Sequence, residues 1–196
     1  MIGSGVFRAT LMANREHFLL LFRSIAAGDC RAWNDWRIDH PMFLPELTAL
    51  ELWGINLPFI NLSKSDLRLA NLSEVNFYRA SFENSDLSMA ILKNANLREA
   101  NMKNAKLYHA NLRGADLRRA NLTGADLRQV DLTGAWLKDA NLLDAVIDAD
   151  AFEQFEILVE EGVSRIERIA LRLSKHRRSK LIHPAVVKAR RAVKVS

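Results

Sequence analysis

From Ala95 to Leu117 the chain reads Ala-Asn-Leu-Arg-Glu-Ala-Asn-Met-Lys-Asn-Ala-Lys-Leu-Tyr-His-Ala-Asn-Leu-Arg-Gly-Ala-Asp-Leu. A large apolar residue returns at every fifth position, and outward from this stretch the phase holds from Pro45 to Ala149. Taking that residue as the centre, 21 pentads run from Leu47 to Ile147; 17 centres are Leu and the rest are Phe77, Phe82, Met102 and Ile147. Ala stands two residues before the centre in 13 pentads, and Asn or Asp stands between them in 14. Three columns stay in phase, so the repeat is read before any secondary structure is assigned.

A step of five fits neither regular element. On an α-helix it advances roughly 500°, which scatters the leucines over every face. On a flat strand an odd step sends alternate leucines to opposite sides. The pattern buries all its apolar residues only if the chain bends after each pentad, turning every centre and every preceding small residue toward one axis. Gly at the last pentad position (Gly54, Gly114, Gly124, Gly134) suits such bends, because it enters φ > 0 without Cβ strain.

This Ala-(Asn/Asp)-Leu-X-X repeat resembles the pentapeptide-repeat family over residues 45–149. The resemblance implies an all-β solenoid, a right-handed quadrilateral β-helix of about five coils with four pentads per coil. Residues twenty apart should then stack. The resulting columns are coherent: Arg79, Glu99, Arg119, Asp139 alternate in sign; Lys106 lies among Asp66, Asp86 and Asp126; Asn56, Asn76 and Asn96 form an amide ladder. At about 4.8 Å per coil these neighbours touch, and the whole stack is roughly 25 Å long. Leu87, Leu92, Leu97, Met102, Leu107, Leu112, Leu117, Leu122 and Leu127 are the expected structural core.

The expected organisation is an N-terminal helical cap region (1–44), the β-helix (45–149), C-terminal amphipathic helices (150–174) and a basic tail (175–196). Asn14 can cap a helix over 15–27 that stops at Gly28, and Asp29 can cap a second one carrying Trp33 and Trp36. Ala32–Arg37 is similar to a lead-in of bacterial pentapeptide-repeat proteins. With Trp53 and Phe59, these aromatics are expected to cover the first coil, since solenoid ends need protection against edge pairing. At the far end Trp136, Leu143 and Val146 are apolar at outward positions, next to Phe152, Phe155, Ile157 and Leu158 at helical spacing. A helix packing there is expected. Ser164–Glu167 has the form of a capping box and starts another helix, which caps the coil or pairs with a second copy. The resemblance implies that a homodimer through the C-terminal end is open. Met1 and Met12 are alternative starts.

Charge separates the tail from the repeat. Residues 46–147 carry 12 cationic and 12 anionic side chains, whereas residues 173–196 carry 8 cationic and no anionic ones. Lys175, Arg177, Arg178, Lys180, Lys188, Arg190 and Arg191 form two basic clusters suited to non-specific contact with nucleic acid or anionic lipid. Without interleaved aromatics they lack the means to read sequence. Within the repeat, Arg98, Arg118 and Lys138 stack beside Tyr78 and form a candidate interaction face.

The single cysteine, Cys30, excludes an intrachain disulfide and fits a reducing cytoplasm. No apolar run approaches the ~20 residues that span a bilayer. The five histidines form no metal or triad signature, and the Asn/Asp column is spread over four sides, where its role is to hold turn backbone. No cofactor, metal, small-molecule substrate or enzymatic activity is expected. The leading reading is a non-enzymatic scaffold acting through protein–protein contacts with an unidentified partner. The resemblance also implies an alternative, a DNA-mimicking binder of type II topoisomerase that confers quinolone resistance; its mechanism needs a strongly negative surface, which the balanced repeat lacks. A nucleic-acid or membrane adaptor through the tail is the further alternative.

Overall fold

The computed structural model describes residues 15–148. The Leu87 pentad shows how one pentad satisfies all of its backbone N–H groups. The Leu87 N–H bonds Lys106 O (2.7 Å) and the Met89 N–H bonds Tyr108 O (2.8 Å), both in the next coil. The Asp86 N–H reaches back to Ser65 O in the preceding coil (2.9 Å), and the Ser85 N–H closes the corner on Phe82 O (3.1 Å). The fifth donor, on Ser88, goes to the Asp86 side chain at 3.0 Å. Because buried backbone donors must be paired, the Asn/Asp column is explained: without it the N–H two residues on has no local acceptor.

Repeated along the chain, these bonds give parallel pairings with a constant offset of twenty, from Glu46↔Asp66 to Asn121↔Asn141, ending in β1 (Asp126–Leu127) against β2 (Val146–Ile147). The four-pentad coil is therefore present. Its interior is closed to solvent: all nine centres from Leu87 to Leu127 have 0% exposure. Phe77 and Phe82 fill adjacent sides of one coil edge-to-face, with ring centroids 5.0 Å apart.

The bends differ from the glycine-based expectation. Every last position from Ala49 to Asp144 has positive φ, between 55° and 70°, and only Gly54, Gly114, Gly124 and Gly134 are glycines. Ladder bonds to the next coil hold Leu69, Met89 or His109 in the left-handed region despite the Cβ penalty. At Gly114 the missing Cβ is itself used. An added methyl would meet Asn94 Oδ1 of the coil beneath. Gly114→Ala should lower stability by about 1 kcal/mol or more, read as a reduced urea midpoint, through φ strain and displacement of the Asn94 amide.

The one Ile in the Asx column offers the opposite change. Ile91 is 41% exposed, pairs between Asn71 and Asn111, and leaves the Lys93 N–H without a side-chain acceptor. Ile91→Asn should raise stability by about 1 kcal/mol by supplying that acceptor, measurable by the same urea titration.

Two helices precede the coils. Helix α1 (Arg15–Ala26) ends in a Schellman closure: the Gly28 N–H bonds Ile25 O (3.0 Å) and the Asp29 N–H bonds Ser24 O (3.2 Å), with Gly28 at φ 70°. Helix α2 (Arg31–Asp39) begins after Cys30, and the Asp29 carboxylate, one residue further out, takes the Arg31 N–H at 2.9 Å.

Their side chains bond to the exposed edge of the first coil. Trp33 Nε1 donates to Asn61 O (2.6 Å), and Asn34 donates to Phe59 O (3.0 Å) while accepting the Asn61 N–H (2.8 Å). Arg37 bridges Phe43 O (2.8 Å) and Ser63 O (2.6 Å), and the Glu46 N–H donates to His17 Nδ1 (3.0 Å). The side chains of Trp53 and Phe59 take no part in this cover. They occupy outward positions and are 42% and 54% exposed, because the two positions after a centre face away from the axis. The expected C-terminal helices and the basic tail lie outside the described residues.

Candidate functional site

The coil presents four sides, which we number in chain order from the Leu47, Leu52, Leu57 and Leu62 pentads. Their outward chemistry differs. Side three collects Arg79, Arg98, Arg118, Arg119 and Lys138 against Glu99, Asp116 and Asp139, a net charge of +2. Within residues 46–147, side one, opposite, collects Arg68, Lys106 and Arg128 against Glu46, Asp66, Asp86 and Asp126, a net charge of −1. A balanced total thus conceals a transverse separation of charge, visible only once the residues are sorted by side.

On side three the carboxylates lie under the guanidiniums. Glu99 is the hub: Arg79 Nε lies 2.7 Å from it, Arg98 Nε 3.7 Å and Arg119 Nη1 3.9 Å. The Glu99 side chain is 19% exposed, whereas those three arginines are 42–60% exposed. The Arg79 hydrogen bond holds the Glu99 carboxyl below its usual range. Arg118 grips Asp116 with two hydrogen bonds, Nε to Oδ1 (2.8 Å) and Nη2 to Oδ2 (2.6 Å). Burial pulls the Asp116 pKa upward, but the Arg118 bonds outweigh it and the net shift is downward.

Aromatic rings complete this side. Phe59 meets Tyr78 edge-to-face at 5.7 Å, the Arg79 guanidinium lies 5.1 Å from the Tyr78 ring centroid, and that of Arg118 lies 4.8 Å from the Trp136 ring. Trp136 is 58% exposed. Of the expected interaction residues, Arg98, Arg118 and Lys138 are brought together here. Arg118 and Lys138 follow Asp116 and Trp136 by two residues and share their side of the strand. Lys175, Arg177, Arg178, Lys180, Lys188, Arg190 and Arg191 lie outside the described residues.

The Arg118–Asp116 clamp recurs on side one as Arg68–Asp66 and Arg128–Asp126. Asp-Leu-Arg is its sequence signal, since residues two apart point the same way along an extended segment. The arginine hydrogen bond is the main cause lowering the Asp66 and Asp126 pKa values. A carboxyl depressed in the folded state adds stability above its unfolded pKa and loses it as pH falls through the folded one. Asp126→Asn keeps the turn acceptor but removes the charge. It should unfold at lower urea than the parent at pH 7, with the gap closing as pH falls below the ordinary carboxylate range.

Among the described residues, Cys30 is bound into the fold and His109 lies at the surface. Cys30 is 7% exposed, and burial pushes its thiol up to about 11, the reverse of an activated nucleophile. His109 packs edge-to-face on Tyr108 at 4.2 Å. Beside side one a groove is lined by Leu44, Glu46, Lys64, Ser65, Asp66, Arg68, Asn84 and Asp86. There Asp66 pairs with Arg68, Asp86 with Lys106, and Lys64 reaches Pro41 O at 3.3 Å. Among the described residues no group of three His, Cys, Asp or Glu could hold a metal, and no helix is long and apolar enough to cross a membrane.

The family model described as pentapeptide repeats matches eight copies, over residues 52–88, 76–114 and 105–144. A pentapeptide repeat protein of Nostoc PCC 7120, alr5209, is 37% identical, and the match covers 75% of that chain and 43% of this one with a TM-score of 0.23. The chain belongs to the pentapeptide-repeat family. Known structures of pentapeptide repeat proteins are right-handed quadrilateral β-helices. The pentapeptide repeat protein Rfr23 of the cyanobacterium Cyanothece 51142 is 36% identical, with 50% of this chain and 65% of Rfr23 covered and a TM-score of 0.26. The chain thus spans just under two thirds of Rfr23. QnrB1, a plasmid-mediated fluoroquinolone resistance protein, is 15% identical in an R167E, trypsin-treated form, with 59% of this chain and 92% of that chain covered and a TM-score of 0.30. No curated protein matches the chain.

Proposed function

We propose that this pentapeptide-repeat protein is a non-enzymatic scaffold of the cytoplasm, acting through protein–protein contacts along the sides of its coil. The observation that carries the reading is the unbroken ladder from Glu46 to Ile147. It fixes side chains at one spacing per coil, so the surface is ordered before a partner arrives and little conformational entropy remains to be lost on binding. The helices α1 and α2 serve as the N-terminal cap.

The arrangement of charge speaks against a DNA mimic. Such a surface needs carboxylates outermost to stand in for phosphates. On sides one and three the arginines are the more exposed members of the Arg68–Asp66, Arg128–Asp126 and Arg79–Glu99 pairs.

Affinity capture with the full chain as bait tests the scaffold. The expected result is a protein retained in near-stoichiometric amount after nuclease treatment. Retention of nucleic acid or lipid alone would favour the adaptor reading through the basic tail. A topoisomerase supercoiling assay provides the remaining arm, and inhibition at micromolar concentration would favour the mimic.

A further inference from the structure

Resting on the scaffold reading, we propose that side three, from Phe59 and Tyr78 to Trp136 and Lys138, is the docking surface, and that its partner is a protein surface bearing carboxylates and apolar groups. Three observations converge on it. The side is the net positive one, and guanidinium dominates its outer layer, because Glu99 and Asp116 lie beneath their arginines and only Asp139 is as exposed as its partner Arg119. Those struts hold the guanidiniums in place, so a partner carboxylate meets donors already oriented for bidentate bonding. Exposed Phe59 and Trp136 frame them, and aromatic residues with arginine are the side chains that dominate protein–protein binding energy.

The other partners fit less well. A phosphate backbone offers no apolar group to cover Phe59 and Trp136, which stay exposed on this side. Side one of a second copy is net negative, but it too wears Arg68 and Arg128 outermost, so the two outer layers would repel.

The test uses the full chain and three probes: a fluorescein-labelled peptide rich in Glu and Phe, its Glu-to-Lys counterpart, and a short DNA duplex. Arg98→Ser with Lys138→Ser weakens the side without disturbing the fold, since Ser or Thr fills the same pentad position at Ser73, Ser88 and Thr133. Trp136→Asn restores the usual Asx residue. Fluorescence anisotropy should show binding of the acidic peptide but not the basic one. Affinity should fall at least about tenfold in both variants and be unchanged in Arg128→Ser on the opposite side. Failure of the acidic peptide to bind, parental affinity in both variants, or a loss confined to the DNA duplex would overturn the proposal. Photocross-linking separates this failure from failure of the scaffold. A partner trapped from Tyr108→benzoylphenylalanine but not from Tyr78→benzoylphenylalanine would leave a scaffold using another side.

Discussion

Phe82→Ala should lower the stability of the coil by about 3–5 kcal/mol, and Phe77→Ala by a similar amount. Both rings are fully buried and meet edge-to-face, so either truncation removes transfer free energy, opens a cavity and breaks an aromatic pair. The surrounding ladder cannot collapse into the space, because each corner is held by bonds to the coils on either side. Phe82→Leu is the informative control. Leucine is the usual centre, so its loss should be well below that of alanine, within about 1.5 kcal/mol. Urea unfolding followed by circular dichroism distinguishes the cases. Equal midpoints for alanine and leucine would show that the coil relaxes around the site.

Trp33→Ala is the second large effect, about 3–5 kcal/mol, and it should act in a different place. Trp33 is fully buried, its indole N–H bonds Asn61 O, and its own N–H bonds the Ser24 hydroxyl at 2.8 Å. Losing the ring removes the contact that joins α1, α2 and the first coil. Stability in stacked repeats is set between neighbours, so the damage should start at this end and fade along the stack. Hydrogen exchange should accelerate at the Asn61 amide and in α2 before it accelerates at Asn101 or Asn121. Trp33→Phe, which keeps most of the volume but leaves Asn61 O unpaired, should cost about 1–3 kcal/mol. Uniform acceleration over all coils in Trp33→Ala would instead mean that the whole chain unfolds as one unit.

The architecture was readable because one physical requirement, burial on a single axis, acts on every fifth residue. The twenty-residue columns followed from it, and Arg79, Glu99 and Arg119 stand together as that spacing requires. The corners were less readable. Glycine marks only those bends where φ > 0 costs least or where Asn94 or Asn104 fills the vacant Cβ space, whereas bonds to adjacent coils impose the same conformation on Met89 or His109. Aromatic character near an end suggests burial for Trp53 and Phe59, but position within the pentad determines direction and turns both outward. The functional surface was hidden for a related reason. A charge total has no sides, so the guanidinium layer over Glu99 and the Arg118–Trp136 contact emerge only from the geometry.

All of these placements depend on stacking at an offset of twenty. Lys93 and Arg113 are exposed, stand one coil apart on side two, and can be tested as a cysteine pair after Cys30→Ser. Their Cα separation should be about 4.8 Å, inside the range a disulfide spans. Mild oxidation of Lys93→Cys with Arg113→Cys should therefore give an intramolecular disulfide in the native chain. Lys93→Cys with Arg118→Cys, displaced to the next side, should not. Equal cross-linking of the two pairs, or none in the first, would contradict the four-sided coil and with it the docking surface on side three.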